Sequence, residues 1–150
     1  MGKGGKGMLE FNVDKITIPL KQHVGGPCQP IVNVGDHVKR GQLVATPNGL
    51  GANIHTSLSG VVESVDEMNI VVKLDKEQSD DYVKLEPTDD HLQRIKDAGI
   101  VGVGGAGFPT GIKLSAQIPG GYVIANAAEC EPVLGHNVRY MEEHPEEVVR

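Results

Sequence analysis

The chain has 150 residues, and 14 Lys+Arg against 20 Asp+Glu leave a net charge of −6. That length suits one ordinary domain or two small ones, and an acidic balance excludes a general nucleic-acid binder, which needs a basic face to displace counterions. No apolar run of the roughly 18 residues that a membrane span requires is present. Residues 1–10 open with MGKGGKGM and read as a flexible arm or tag remnant, since no apolar core marks a signal peptide. Three Tyr, two Phe and no Trp leave few platforms for base stacking, so the core must come from Val, Ile, Leu and Ala. Cys28 and Cys130 stand far apart and form no CxxC, which predicts a reducing, cytoplasmic location and no disulfide framework or metal site.

From residue 11 to about 85 the grammar is that of short strands. Segments 15–20 (KITIPL), 29–34 (QPIVNV), 42–46 (QLVAT), 60–65 (GVVESV) and 69–74 (NIVVKL) are rich in β-branched residues and separated by Gly, Pro, Asn and Asp. This predicts a small all-β barrel or sandwich. Segment 77–81 is a polar hairpin tip or linker. Lone His23 and His55, with no third ligand at a diagnostic spacing, read as polar turn residues, and Cys28 as inert.

From residue 86 the pattern turns helical. Thr88 is a predicted N-cap for a helix over 89–98, with Leu92, Ile95 and Ala98 at helical spacing and Gly99 in the left-handed C′ position. A second helix is predicted over 110–117, a buried strand over 122–125, and a further helix start at Pro145. The order helix, loop, helix, strand, helix is the opening of an α/β sheet.

Within the first half, Val34-Gly-Asp-His-Val-Lys-Arg-Gly-Gln-Leu-Val44 followed by SLSGVVESV at 57–65 resembles the biotinyl and lipoyl carrier domains, a barrel-sandwich hybrid. Gly35, Asp36 and Gly41 permit the reversals, while Val34, Val38, Leu43 and Val44 are expected in the core. A carrier displays a lysine at a hairpin tip, but the connection here, TPNGLGANIH over 46–55, contains none. A structural module is therefore expected rather than a covalent carrier.

The glycine cluster Gly102-Val-Gly-Gly-Ala-Gly107 precedes a helix start and Lys113. Successive backbone N–H groups beside the positive end of a helix receive phosphate, and Lys113 adds a charge-assisted contact. The GxGxxG pattern alone is weak, and a plain packing turn is the competing reading. Further on, Asn126, Glu129 and Glu131 follow the predicted strand, where open α/β sheets bind ligands. A solvated capping loop is the alternative there.

Taken together, GxGGAGFPTGxK and NxAECEP resemble the flavin-binding domain shared by the 51-kDa subunit of respiratory complex I and the RnfC subunit of Rnf electron-transport complexes. IPLKQHVGGPCQP at 18–30 with Val34-Gly-Asp36 resembles the N-terminal region of RnfC and of its relative, the proline-reductase-associated protein PrdC. The resemblance implies an α+β chain in two parts: a barrel-sandwich hybrid over 11–85 and the start of a Rossmann-like flavin domain over 86–150. It implies FMN held by Gly102, Gly104, Gly105, Ala106, Lys113, Asn126, Glu129 and Glu131, with no catalytic acid or base and no protein metal ligand in this stretch. It also implies electron transfer from NADH through FMN to [4Fe–4S] clusters whose cysteines lie beyond residue 150. Other electron-transfer subunits or a reductase are the implied partners, with a peripheral place on the inner face of the membrane. A stretch of this length alone is expected to be inactive. A non-catalytic β scaffold that docks partner subunits is the rival reading. Val103 and Ala128 depart from the complex I pattern, which has Arg and Asp there.

Overall fold

The computed structural model describes residues 13–103, 105–122, 124, 126–129 and 132–149. It divides into two compact units, one ending at Ala116 and one beginning at Gln117. The first unit thus carries the β elements and the first two helices together.

The β elements are β1 (Lys15–Pro19), β2 (Gln29–Pro30), β3 (His37–Val38), β4 (Leu43–Thr46), β5 (Ile54–His55), β6 (Gly60–Val65) and β7 (Asn69–Leu74). They form two antiparallel sheets, ordered β1-β7-β6-β3 and β2-β4-β5. Side chains two apart face the same side of a strand, so Ile70 and Val72 of β7 and Val62 of β6 all point inward. They meet Ile18, Leu20, Cys28, Val32, Val38, Val44, Ala45 and Ile54 in one core without aromatic rings. The β6–β7 reversal is fixed by Asp66, whose Oδ1 accepts from the N–H groups of Met68 and Asn69 at 2.7 and 2.8 Å.

The GDxVxxGQ segment works as a pair of side-chain-closed turns. Asp36 Oδ2 accepts from Asn33 N–H at 2.7 Å, and Gln42 Oε1 accepts from Lys39 N–H at 3.0 Å. Gly35 N–H donates to Val62 and Gly41 N–H to Thr56, tying both turns to the other strands. One core expectation fails: Val34 is 63% exposed. It occupies the corner of the turn that Asp36 N–H closes onto Asn33 O, so its side chain is turned outward. Val38 and Val44 are fully buried as expected, and Leu43 is partly buried.

Helices α1 (His91–Asp97) and α2 (Thr110–Leu114) complete the first unit. The N-cap of α1 is Asp90, not Thr88: Asp90 Oδ1 accepts from Gln93 N–H at 3.0 Å, while Thr88 Oγ1 accepts from Asp90 N–H one step upstream. The charge of Asp90 favours the helix N-terminus more than a hydroxyl would. Gly99 takes φ +67°, and a Cβ there would collide with the Asn53 carbonyl.

The second unit contains α3 (His136–Glu143) and α4 (Pro145–Val149). Tyr140 joins them, its hydroxyl donating to Glu147 Oε2 at 2.8 Å and its ring lying 4.7 Å from that of His144. The expected buried strand over 122–125 is not observed at the described positions: Tyr122 and Ile124 are 91% and 83% exposed and unpaired. A strand needs a ladder neighbour, and no strand pairing occurs among the described residues of this unit. Val123 and Ala125 lie outside the described residues. No helix among the described residues is long and apolar enough to cross a membrane.

Candidate functional site

In the first unit the glycine cluster forms a closed loop. An antiparallel bridge pairs Val101 with Pro109, Gly102 N–H donates to Phe108 O at 2.9 Å, and Thr110 N–H donates to Ile100 O at 2.9 Å. The base of the loop is thereby fixed, while Val103 and Gly105 are open. Val103 is fully exposed, and a Cβ added at Gly105 would meet nothing within 4 Å. Among the described residues the N–H groups of Gly105 and Ala106 have no protein acceptor. Lys113 lies at the base of this loop: its Nζ stands 3.9 Å from where a Cβ on Gly102 would be.

The helix that follows is shorter than the predicted 110–117, ending at Leu114. Five residues carry little macrodipole, so the anion-attracting features of the loop are its unpaired amides and the Lys113 ammonium. Gly102, Gly105 and Ala106 belong to this loop, and Lys113 Nζ lies beside Gly102. Gly104 lies outside the described residues.

Asn126 and Glu129 belong to the second unit. Asn126 Oδ1 accepts from Ala128 N–H at 3.0 Å, a local turn that leaves its amide NH₂ without an acceptor among the described residues. Glu129 caps α3: Oε1 accepts from Asn137 N–H at 2.7 Å and from Val138 N–H at 3.2 Å. Its other oxygen is buried without an aligned donor among the described residues, though His136 Nδ1 lies 3.3 Å away, within ion-pair reach. A carboxylate at a helix N-terminus is favoured by the free N–H groups there. Glu131 lies outside the described residues. No cluster of three or more His, Cys, Asp or Glu able to hold a metal exists among the described residues.

Two residues that read as ordinary in the sequence are placed differently. His23, read as a polar turn residue, is buried at 6% exposure, and Cys28 lies beside it with Sγ 3.4 Å from His23 Nε2. Burial pushes the Cys28 thiol up, which keeps it protonated and a poor nucleophile. No local pattern signals this burial: Val24 and Cys28 are near His23 in the sequence, but Ala52, which meets both its Nε2 and the thiol, is distant. His55 is partly buried, and burial holds its imidazole below the ordinary value.

Comparison with known proteins agrees with this layout. The RnfC barrel sandwich hybrid domain matches residues 10–84, and the Nuo51 FMN-binding domain matches residues 95–150. One subunit of the proton-translocating ferredoxin:NAD(+) oxidoreductase complex of Clostridium ljungdahlii is 38% identical over 91% of this chain and 34% of its own length. The corresponding subunit of the Na(+)-translocating complex of Acetobacterium woodii is 39% identical over 91% of this chain and 35% of its own. Its counterpart in the ion-translocating oxidoreductase complex of Serratia proteamaculans is 35% identical, with 91% and 22% covered. The chain spans about a third or less of the length of these relatives. With the β unit matched by the barrel sandwich hybrid model and the glycine-loop segment by the FMN-binding model, the chain belongs to the RnfC family.

Proposed function

We propose that this chain supplies the phosphate-holding half of an FMN site in an RnfC-type electron-transfer subunit. The observation that carries the reading is the glycine loop: it is closed at its base, open around Val103 and Gly105, has amides at Gly105 and Ala106 unpaired among the described residues, and has the Lys113 ammonium beside Gly102. A phosphate dianion is matched by such donors, because backbone N–H groups and one ammonium neutralise it without a buried counter-charge. Gly104, Gly105 and Ala106 would supply the amides of the cradle and Lys113 the charged contact, while Gly102, whose N–H closes the base on Phe108 O, would flank it without donating. For Asn126, Glu129 and Glu131 of the second unit, a role toward ribityl or ring atoms in a Rossmann-like α/β domain beginning near residue 86 is supported by the family resemblance alone. Glu129 has a second duty, because its carboxylate orders the start of α3.

When bound, FMN exchanges electron pairs with a nicotinamide and single electrons with iron–sulfur clusters, so it links NADH to [4Fe–4S] centres in either sense. The chain's own residues bind and orient; no acid or base among them is required. Other subunits of an oxidoreductase complex, or a reductase, are the proposed partners, and the proposed location is the cytoplasmic face of the membrane.

The test is titration with FMN, followed by flavin fluorescence, on the wild-type chain and on Gly105→Asp. Saturable binding by the wild type, lost in the variant at an unchanged melting temperature, is expected, because the added side chain enters open space and opposes only an anion. No binding by the wild type, or equal binding by both, would overturn the assignment and leave a scaffold that only docks subunits.

A further inference from the structure

We propose that His23 is a positioning residue for the glycine loop, pinning the loop's exit at Gly107 to the β4–β5 connection over residues 47–53. This inference rests on reading that loop as the phosphate cradle.

The ring of His23 sits between two stretches of backbone. On one edge, Ala52 N–H donates to Nε2 at 3.1 Å. That bond makes Nε2 an acceptor, so the neutral ring carries its hydrogen on Nδ1, which donates to Val24 O at 3.0 Å. The opposite tautomer would aim the Nδ1 lone pair at a carbonyl and leave Ala52 N–H facing another N–H. In the chosen tautomer Ala52 O, although 3.1 Å from Nε2, takes its hydrogen from the Cys28 thiol at 3.3 Å. Every polar atom of this buried group is then satisfied.

The loop meets His23 through a residue that has no side chain. Gly107 is buried with φ +68°, and a Cβ on it would lie 3.0 Å from His23 Cα and 3.2 Å from Gln22 O. Val24 N–H reaches Gly107 O at 3.4 Å. From the other side Gly51 is pressed so closely that a Cβ would stand 2.7 Å from His23 Cε1. His23 therefore bridges the two: its Cα and Cβ meet the glycine loop, and its ring meets the hairpin connection that carrier domains use to display their lysine. A second brace runs parallel: Asn53 Nδ2 donates to Asp97 O at 3.3 Å at the end of α1. The β unit acts as the wall against which the cradle is shaped.

The experiment compares wild type, His23→Ala and His23→Gln by FMN titration and by amide resonances, at a temperature where all three are folded. Global stability does not alter ligand affinity in a fully folded population, so affinity reports loop geometry. In His23→Ala the FMN dissociation constant is expected to rise at least tenfold. Resonances of Gly102, Gly105, Ala106 and Thr110 shift or broaden, and those of β6 and β7 stay put. His23→Gln, whose amide oxygen restores an acceptor for Ala52 N–H, is expected to bind within about threefold of wild type. Should His23→Ala not fold, Gly107→Ala disturbs the same contact from the loop side and must show the same loop-confined changes. Unchanged loop resonances in the altered protein would overturn the pin, whatever FMN does. If the loop resonances move but the wild type itself takes up no FMN, the flavin reading falls and the pin stands.

Discussion

Two glycines of one loop, Gly105 and Gly107, should respond in opposite ways to the same added methyl group. Gly105 has no left-handed φ, and the position of its Cβ is open on all sides. Gly105→Ala is therefore expected to be neutral, or stabilising by about 0.4–1 kcal/mol through the lower entropy of the unfolded chain. Gly107 has φ +68°, where an L side chain costs about 1–2 kcal/mol. Its Cβ would also meet His23 Cα at 3.0 Å, His23 Cβ at 3.3 Å and Gln22 O at 3.2 Å. Two of these three atoms are backbone, which yields less readily than a side-chain tip, so an overpacking cost of about 1–2 kcal/mol is added. The total for Gly107→Ala is roughly 2–4 kcal/mol. Urea unfolding followed by far-UV circular dichroism measures both variants, with the slope checking that the transition is unchanged in kind. Gly107→Ala unfolding within about 0.5 kcal/mol of Gly105→Ala would refute the reasoning, because it would mean that the loop does not dock on Gln22 and His23.

Two further outcomes test the β unit. Ile70→Ala, at the centre of the larger sheet and fully buried between β1 and β6, is expected to cost about 2–5 kcal/mol in the same urea assay. A loss below about 1 kcal/mol would mean that the core is not closed around that side chain. The second concerns pH. Burial keeps the His55 imidazole below its ordinary value of 6.5, so the unfolded chain binds that proton more readily than the folded one. The stability tied to neutral His55 is complete above 6.5 and is lost as pH falls through that value to the lower folded one. The melting temperature should therefore drop on acidification from neutral pH, and His55→Gln should flatten that drop. An identical pH dependence in the variant would contradict the assignment.

Much of this protein was legible in the residues alone because the deciding physics is local. The i, i+2 alternation of Val62, Ile70 and Val72 sets which face of β6 and β7 is apolar. Asp36 and Gln42 close their turns within three residues, and the glycine run with Lys113 lies within one loop and the helix after it. Shared motifs of this kind also carry the family resemblance. What the chain order concealed are features decided by how the folded backbone presents its groups, whether the partner is near in sequence or far. His23 reads as one more polar turn residue until Ala52, Cys28 and Gly107 surround it. Asp90 outcompetes Thr88 as a cap only because the backbone presents Gln93 N–H to its carboxylate. Val34 looks like a core valine in the alternating pattern, yet the turn sets it at a corner. Helix α3 lacks a side-chain cap of its own and starts where Glu129 reaches across to Asn137 and Val138. Short-range propensity writes strands, turns and loops into a sequence. Which buried groups complete one another's hydrogen bonds is settled only when separate segments pack, since that pairing depends on distance in space and leaves no periodic trace along the chain.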